Sequence, residues 1–445
     1  MAASCHAARP MRAPLVSLGS VPLFASVAMS TAIIAAACAV VACGDDGGTA
    51  ITRDAPLLGP DAPPTTCLPL PATGQFVARA GNPRLLAGHR FADGKLDTAI
   101  ADPDVHFDAL TSRYEVYYGS PHGTAFGAAD AVPTIRHVTS VDKLVWTYVD
   151  EPALVASPDT AAWDHLITEA PTVIFNPDAP AARRYLMLYA GAARAFPFPG
   201  YAMPDSAIGA AVSPDGVTFT RIPAAESPHG AAGLVLTGAD AFPIATAAVV
   251  ADPELALVDG TYHLYYSSFA CGGPQCGTPS ASGVGHATST DGIHWTVAEA
   301  PVKSLLRTQS DPTSGGGQPA VVYDAAHCRW ELWLSADRAG DHDNQPAVSS
   351  NSAGVYKAES TDGVGWSVDY TRNRDFAWAA TAPRAGEHLG MRTGADVAEN
   401  GTGRLLVYVG LDDQDVPPGF SLPDRTSAGF RSGVMTLDIA TRDLP

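Results

Sequence analysis

One unit recurs along the chain, and a recurring unit constrains the fold more tightly than any composition does. Its clearest copy runs from Ala251 to Trp295. A short apolar run, Leu255 to Val258, meets an Asp259-Gly260 turn, and an alternating aromatic run follows from Tyr262 to Tyr266. After a loop rich in Cys, Gly and Pro comes a third run, Val284 to Thr288. A second Asp-Gly turn, Asp291-Gly292, then leads to Trp295. Asp-Gly between two strand-like runs marks a hairpin, because both residues tolerate the positive φ of a tight turn. The unit reads as an antiparallel meander of about four strands.

The opening returns as Ala101-Asp102-Pro103-Asp104-Val105, Glu169-Ala170-Pro171-Thr172-Val173, Gly317-Gln318-Pro319-Ala320-Val321 and, less clearly, Gly394-Ala395-Asp396-Val397. The second strand returns at Tyr114 to Tyr118, Tyr185 to Tyr189, Trp330 to Leu334 and Leu405 to Val409. The far turn returns as Ser140-Val141-Asp142, Ser213-Pro214-Asp215-Gly216, Ser289-Thr290-Asp291-Gly292 and Ser360-Thr361-Asp362-Gly363, followed by Trp146, Phe219, Trp295 and Trp366. Successive meanders bury their faces against one another, which predicts an all-β, five-bladed β-propeller of four-stranded antiparallel blades. Its blades run roughly 97-150, 165-223, 250-300, 316-370 and 393-445. A β-sandwich is the alternative, but it gives no reason for four matching Ser-x-Asp turns.

The last unit lacks the turn that leads into a fourth strand, while Gln75 to Leu86 has strand-like pieces and no partner. The propeller domain is therefore taken as 75-445, with 75-87 closing the last blade, because an unpaired edge is a liability that closure removes.

The residues before it read differently. Arg9 and Arg12 precede a long apolar run ending Val40-Val41-Ala42-Cys43-Gly44, with no acid before Asp45. This resembles a bacterial lipobox, giving a signal peptide at 1-42 and lipidation at Cys43; an uncleaved membrane anchor is the alternative. Residues 43-74 are rich in Gly, Asp, Pro and Thr, the composition of a disordered tether. These readings place the chain in the bacterial cell envelope, lipid-anchored at the outer membrane or a periplasmic face. The formal net charge of -19 argues against nucleic acid or an anionic membrane surface as partner and suits a neutral ligand. Membrane contact is then through the lipid alone, and the domain is expected to be a monomer. Of the cysteines beyond the signal, Cys271 and Cys276 share one loop and are expected to form a disulfide in an oxidising compartment, with a metal site as the alternative.

In a ring whose first strands start at the mouth, the residues around each Pro converge on the axis: Asp102, Glu169, Asp252, Gln318 and Gly394. Three are acidic. Acids crowded round one axis repel, which raises the pKa of at least one, and two carboxyl groups flanking a glycosidic bond can serve as acid and base. The alternative is that each merely caps an inner strand. The Ser-x-Asp-Gly turns fall on the opposite face and read as structural: Asp caps the turn, Gly takes positive φ, and the aromatic packs between blades.

These residues resemble a known group. The openings Gly81-Asn82-Pro83…Asp102-Pro103 and Asp252-Pro253…Asp259-Gly260-Thr261-Tyr262, with the Glu169-Ala170-Pro171 motif, are similar to the five-bladed glycosidase superfamily of glycoside hydrolase families 43, 62, 32, 68 and 130. The resemblance covers about residues 76 to 445. It implies an Asp base or nucleophile on the first blade, a pKa-tuning Asp in an Asp-Pro motif on the second and a Glu acid on the third. Asp102 matches the first. Glu169 and Asp252 match the other two in kind, with their blades exchanged. This implies Asp102 as base, Glu169 as acid and Asp252 as modulator in an inverting hydrolysis of arabinose-, xylose- or fructose-containing oligo- or polysaccharides. A non-catalytic glycan-binding surface lipoprotein is a second reading. A mannoside-phosphorylase-like enzyme is a third, with Arg392 and His388 as candidates for a phosphate pocket. Arg392 also reads as a partner for a central acid.

Around the mouth, Trp163, His165, Phe196, Phe198 and Tyr201 are candidates for sugar stacking, and Gln318 for substrate binding. His286 reads as a packed strand residue. No cofactor is required and no catalytic metal spacing is seen, although Asp337 to Asp343 carries enough oxygens for a structural calcium.

Overall fold

The computed structural model describes residues 67, 75–78, 82, 84–108, 110–125, 128–198, 201–243, 247–271, 281–298, 317–336, 354–369, 393–399, 403–412 and 434–443. It is an all-β propeller with only two short helical segments among the described residues, Ala181–Arg183 and Gly238–Ala241.

The second repeat gives a sheet ordered Ile167–Phe175, Tyr185–Ala192, Ala207–Ser213, Thr220–Arg221. The third gives Ala247–Val258, Thr261–Cys271, Ala281–Ser289, Thr296–Val297, and the fourth Gly317–Asp324, Arg329–Ala336, Gly354–Ser360, Ser367–Asp369. In the first, Ala101–Asp108 pairs with Arg113–Gly123, followed by Val132–Ser140 and Thr147–Tyr148. The last repeat supplies Thr393–Glu399, Gly403–Asp412 and Val434–Asp443. An N-terminal segment completes that sheet: Val77 pairs with Thr441 and Leu85 with Leu437.

The opening strands are neighbours in chain order, Ala101–Asp108 beside Ile167–Phe175, then Ala247–Val258, Gly317–Asp324 and Thr393–Glu399, which returns to Ala101–Asp108. Hydrophobic cores fill the space between successive sheets. Leu186, Leu188 and Ile208 meet Val250, Leu264 and Tyr266 between the second and third sheets. Tyr265 and Val284 meet Val321, Trp330 and Leu332 between the third and fourth.

The Ser-x-Asp turns recur as one hydrogen-bonded unit. Ser213 Oγ accepts from Gly216 N and donates to Asp215 Oδ1. Ser289 does the same with Gly292 and Asp291, and Ser360 with Gly363 and Asp362. Gly216, Gly292 and Gly363 hold φ between 72° and 76°, which explains the glycine; in the first turn Lys143 takes φ 66° instead. Two of these turns also tie blades together, because Tyr117 Oη donates to Gly216 O at 2.6 Å and Tyr265 Oη to Gly363 O at 2.8 Å. The following aromatics pack in the cores, Trp146, Phe219, Trp295 and Trp366 alike.

Cys67 forms a disulfide with Cys328, pinning the segment ahead of the propeller to the first turn of the fourth sheet. Nothing in the sequence pattern pairs these two residues. Cys271 ends its strand, while Cys276, like Cys43 and the Asp337 to Asp343 loop, lies outside the described residues.

Candidate active site

Every opening strand breaks register at the same place. The shifts fall between Ala101 and Asp104, opposite Leu188 and Ala190 on the second sheet, between Ala251 and Glu254, between Gly317 and Ala320, and between Thr393 and Asp396. The extra residues form a bulge in which Asp102, Ala170, Asp252 and Gln318 adopt nearly one conformation, φ 46°, 46°, 46° and 50°. Left-handed backbone at a residue other than Gly carries strain, and its repetition at one level of the ring marks that level as a functional candidate. The Pro that follows each of these residues fixes the position in the sequence.

The residue that matches Asp102 on the second sheet is therefore Ala170, and Glu169 stands one residue earlier. Glu169 is buried, and its Cβ packs where a side chain on Gly119 would otherwise sit, 3.2 Å away, so it faces the first sheet. A side chain on Gly119 would require Glu169 to give by a few tenths of an ångström.

The structure brings three of the sequence candidates together. Gln318 Nε2 donates to Asp102 Oδ1 at 2.6 Å, a contact between residues 216 apart in sequence. Gln318 N donates to Ser267 Oγ at 2.8 Å, and Ser267 stands on the strand paired with that of Asp252, opposite Ala251. Gln318 thus links Asp102 on the first sheet to Ser267 on the third. Burial pushes the Asp102 carboxyl up to about 8, the neighbouring Asp252 charge raises it further, and the Gln318 hydrogen bond opposes both. Burial pushes Asp252 up as well, to about 6, with the nearby Ser267 hydroxyl opposing it. Asp102 Oδ2 and Asp252 Oδ1 are buried without a hydrogen-bond partner. A polar oxygen buried in this way is where a hydroxyl-rich ligand finds an acceptor.

A second tier, not singled out from sequence, holds the ring itself. Two residues beyond each bulge position, a side chain accepts the backbone N–H of the next opening strand. Asp104 Oδ2 takes Val173 N at 3.1 Å, Thr172 Oγ1 takes Leu255 N at 3.2 Å, and Glu254 Oε1 takes Val321 N at 3.3 Å. Burial raises the pKa of Asp104, while the nearby His106 ring and the hydrogen bond from Val173 N oppose that. Asp104 and Glu254 are thus acids near the axis with structural work. The signal was present, since each lies one residue beyond the repeated Pro.

Of the stacking candidates, Trp163 is held by its own blade: its indole donates to Ala232 O at 2.9 Å and stacks on Tyr189 at 5.8 Å. Gly191 is needed there because a Cβ would come within 2.6 Å of the indole. His165 contacts Ala162 O and lines a groove of about 810 Å³ between the first two sheets, with Leu154, Phe219 and Arg221. Asp102, Asp252 and Gln318 are not in that groove. Phe196, Phe198 and Tyr201 belong to a separate hairpin, Ala195–Phe198 with Tyr201–Pro204. His286 is buried beside His263 and Tyr265, and burial lowers its pKa to about 4. Arg392 and His388 lie outside the described residues. Among the described residues no cluster of three His, Cys, Asp or Glu side chains has the arrangement of a metal site.

No protein-family model matches the sequence, and no curated protein matches it. Solved structures do. The protein superposes on the structure of a BT0996 RGII complex with a TM-score of 0.52 at 13% identity, covering 83% of this protein and 91% of that one. The likeness is one of fold. A protein of Parabacteroides distasonis ATCC 8503, provisionally described as a glycoside hydrolase, superposes with a TM-score of 0.50 at 14% identity, covering 82% of this protein and 96% of that one. A thermostable family-43 glycoside hydrolase gives 0.45 at 17% identity over 77% and 88%, too loose a superposition to add to the argument. At these identities the likeness concerns fold, and the chemistry has to come from the site.

Proposed function

We propose that the chain is a five-bladed propeller that hydrolyses glycosidic bonds, with Asp102, Asp252 and Glu169 as its acid and base groups. The observation that carries this reading is the pair Asp102 and Asp252. Both are buried, burial raises the proton affinity of each, and each has an oxygen free for a ligand. A protonated and an ionised carboxyl in one site is what glycosidic cleavage needs. The five-bladed count is supported by the cyclic adjacency of the opening strands.

The roles follow the resemblance: Glu169 protonates the leaving oxygen, Asp102 activates water, and the charge of Asp252 raises the Asp102 carboxyl. Glu169 is the third carboxyl, on the strand between theirs. The substrate class is a glycan containing arabinose, xylose or fructose, and the outcome is inversion. The Cys67–Cys328 disulfide supports an oxidising compartment, in keeping with export and a lipid on Cys43 at the cell envelope.

A panel of plant and microbial glycans, scored for released sugars by thin-layer chromatography, tests the reading. Wild-type chain should release product, and Glu169→Gln, Asp102→Asn and Asp252→Asn should each lower turnover at least about a hundredfold. Unchanged turnover in Glu169→Gln removes that residue from the chemistry. Retention of a glycan without product favours the binding-protein reading, which the Gln318 bond to Asp102 supports by occupying one carboxyl oxygen. Turnover that requires inorganic phosphate would move the assignment to the phosphorylases.

A further inference from the structure

One position of the repeat follows Tyr114, Tyr185, Tyr262 and Trp330 on the second strands, and it holds Glu115, Leu186, His263 and Glu331 in turn. A second lies across on the third strands, where His137 stands opposite Tyr117, Ala210 opposite Leu188, His286 opposite Tyr265 and Lys357 opposite Trp333. Both positions face the following sheet. Leu186 and Ala210 enter the core shared with the third sheet, and Glu331 meets Arg404 of the last one. What fills the pair therefore decides what holds each seam. The second sheet fills it with apolar groups. The first pairs Glu115 with His137, and on the fourth Glu331 takes Lys357 Nζ and an Arg329 nitrogen, each at 2.7 Å. The third sets imidazole against imidazole, with His263 Nδ1 and His286 Nε2 3.2 Å apart.

Two ring nitrogens at that distance hold one hydrogen between them, the arrangement of two neutral rings. His286 is buried, and its other nitrogen, Nδ1, is buried without a hydrogen-bond partner. His263 is half-buried against Trp330 of the fourth sheet, the ring centres 4.7 Å apart. Among the described residues neither imidazole has an ion pair with a carboxylate. We propose that His263 and His286 are an acid-sensitive latch between the third and fourth sheets, closed while both rings are neutral and opened when protonation puts a cation in the seam with no acid to answer it. A buried charge without a partner is far less stable than the same charge in water, and opening the seam returns it to water. Burial lowers the proton affinity of both rings, that of His286 to about 4, where His263 adds to the effect. A folded value below the ordinary 6.5 means that stability from this group is full above about pH 6.5 and is lost as pH falls towards about 4.

The other titratable groups at this seam do not answer such a charge. On the third sheet Glu254 gives Oε1 to Val321 N, and Tyr265 stands between it and His286 in the register. Tyr265 Oη donates to Gly363 O. The fourth sheet brings Tyr323, Tyr356 and Asp362. The Asp362 charge favours protonated His286, but less than burial and His263 disfavour it. Its Oδ1 is taken by the Ser360 hydroxyl and by the N–H groups of Val364 and Gly365.

The test is hydrogen exchange of the full-length protein, read by mass spectrometry at pH 7 and pH 5 and corrected for the intrinsic pH dependence of exchange. An imidazole that regains its ordinary value of 6.5 on opening favours the open seam about twentyfold more at pH 5 than at pH 7. Protection of Val284 to Ala287 and of Trp330 to Leu334 should therefore fall at least about tenfold at pH 5, while Leu186 to Tyr189, at the apolar seam, keeps its protection. His263→Glu rebuilds the Glu115–His137 pair and should hold the third and fourth sheets at pH 5 as at pH 7. The double variant His263→Leu with His286→Ala copies Leu186 and Ala210, should be equally indifferent to pH, and serves if the glutamate protein does not fold. Unchanged protection of wild type at pH 5 overturns the proposal. So does equal loss over all the sheets, or a variant that loses protection as wild type does. Hydrolysis does not enter these measurements, so the latch stands or falls apart from the enzymatic reading.

Discussion

Replacing Asp102 with Asn should make the protein more stable at alkaline pH and leave it nearly unchanged at acid pH. The folded Asp102 carboxyl is raised from its ordinary value of 3.8 to about 8, first by burial and then by the charge of Asp252. The sign follows from that direction. A folded-state pKa above the unfolded one means that the folded protein holds the proton more tightly, so the stability from this group is full below about pH 4. It is lost as pH rises through about 8. A tenfold change in proton affinity is worth about 1.4 kcal/mol, which sets a ceiling of about 5 to 6 kcal/mol for the loss. Asp252 titrates with Asp102 and shares the same repulsion, so the relief from neutralising one partner is smaller, about 1 to 3 kcal/mol at pH 9. Asn keeps an Oδ1 to accept the Gln318 amide, so the hydrogen bond at 2.6 Å need not be lost. Its NH2 replaces an oxygen that has no partner, which exacts a similar penalty at every pH and does not tilt the curve. Urea unfolding of wild type and Asp102→Asn, in steps from pH 5 to pH 9, gives the two curves. They should lie closest at pH 5, part steadily as pH rises, and part no further above about pH 8. Parallel curves would show that Asp102 ionises in the folded protein as it does in the unfolded chain, and the buried acid pair would then be discarded.

Two further substitutions address the frame. Gly292→Ala places a side chain at φ 74° and its Cβ 2.4 Å from Leu186 Cδ2, so it should lower stability by about 1 to 2 kcal/mol in urea unfolding. A loss within a few tenths would mean that the turn relaxes freely. Cys328→Ser opens a covalent loop between residues 261 apart, for which chain entropy gives a loss of up to about 5 kcal/mol, and the melting temperature should fall clearly under non-reducing conditions. An unchanged melting temperature would show that the unfolded state gains nothing from release.

The Ser-x-Asp turns were legible because everything they need is local. Ser289, Asp291 and Gly292 satisfy one another within four residues, so the pattern alone predicts the capped turn and the positive φ. The repeated Pro was equally legible, and counting back from it gives Ala170 as the match of Asp102. Reading by charge gave Glu169, because an acid stands out where an alanine does not. Asp104, Thr172 and Glu254 were harder to see, since a residue that clasps the N–H of another repeat has no local partner to betray it.

By itself the sequence determined the repeat, the strand order within each copy and the turns between strands, all of which follow from contacts a few residues apart. Only the tertiary structure decided which repeats touch. It set Gln318 against Asp102 across 216 residues and joined Cys67 to Cys328. Proton affinity depends on burial and on the groups within a few ångströms, and those are properties of the assembled ring.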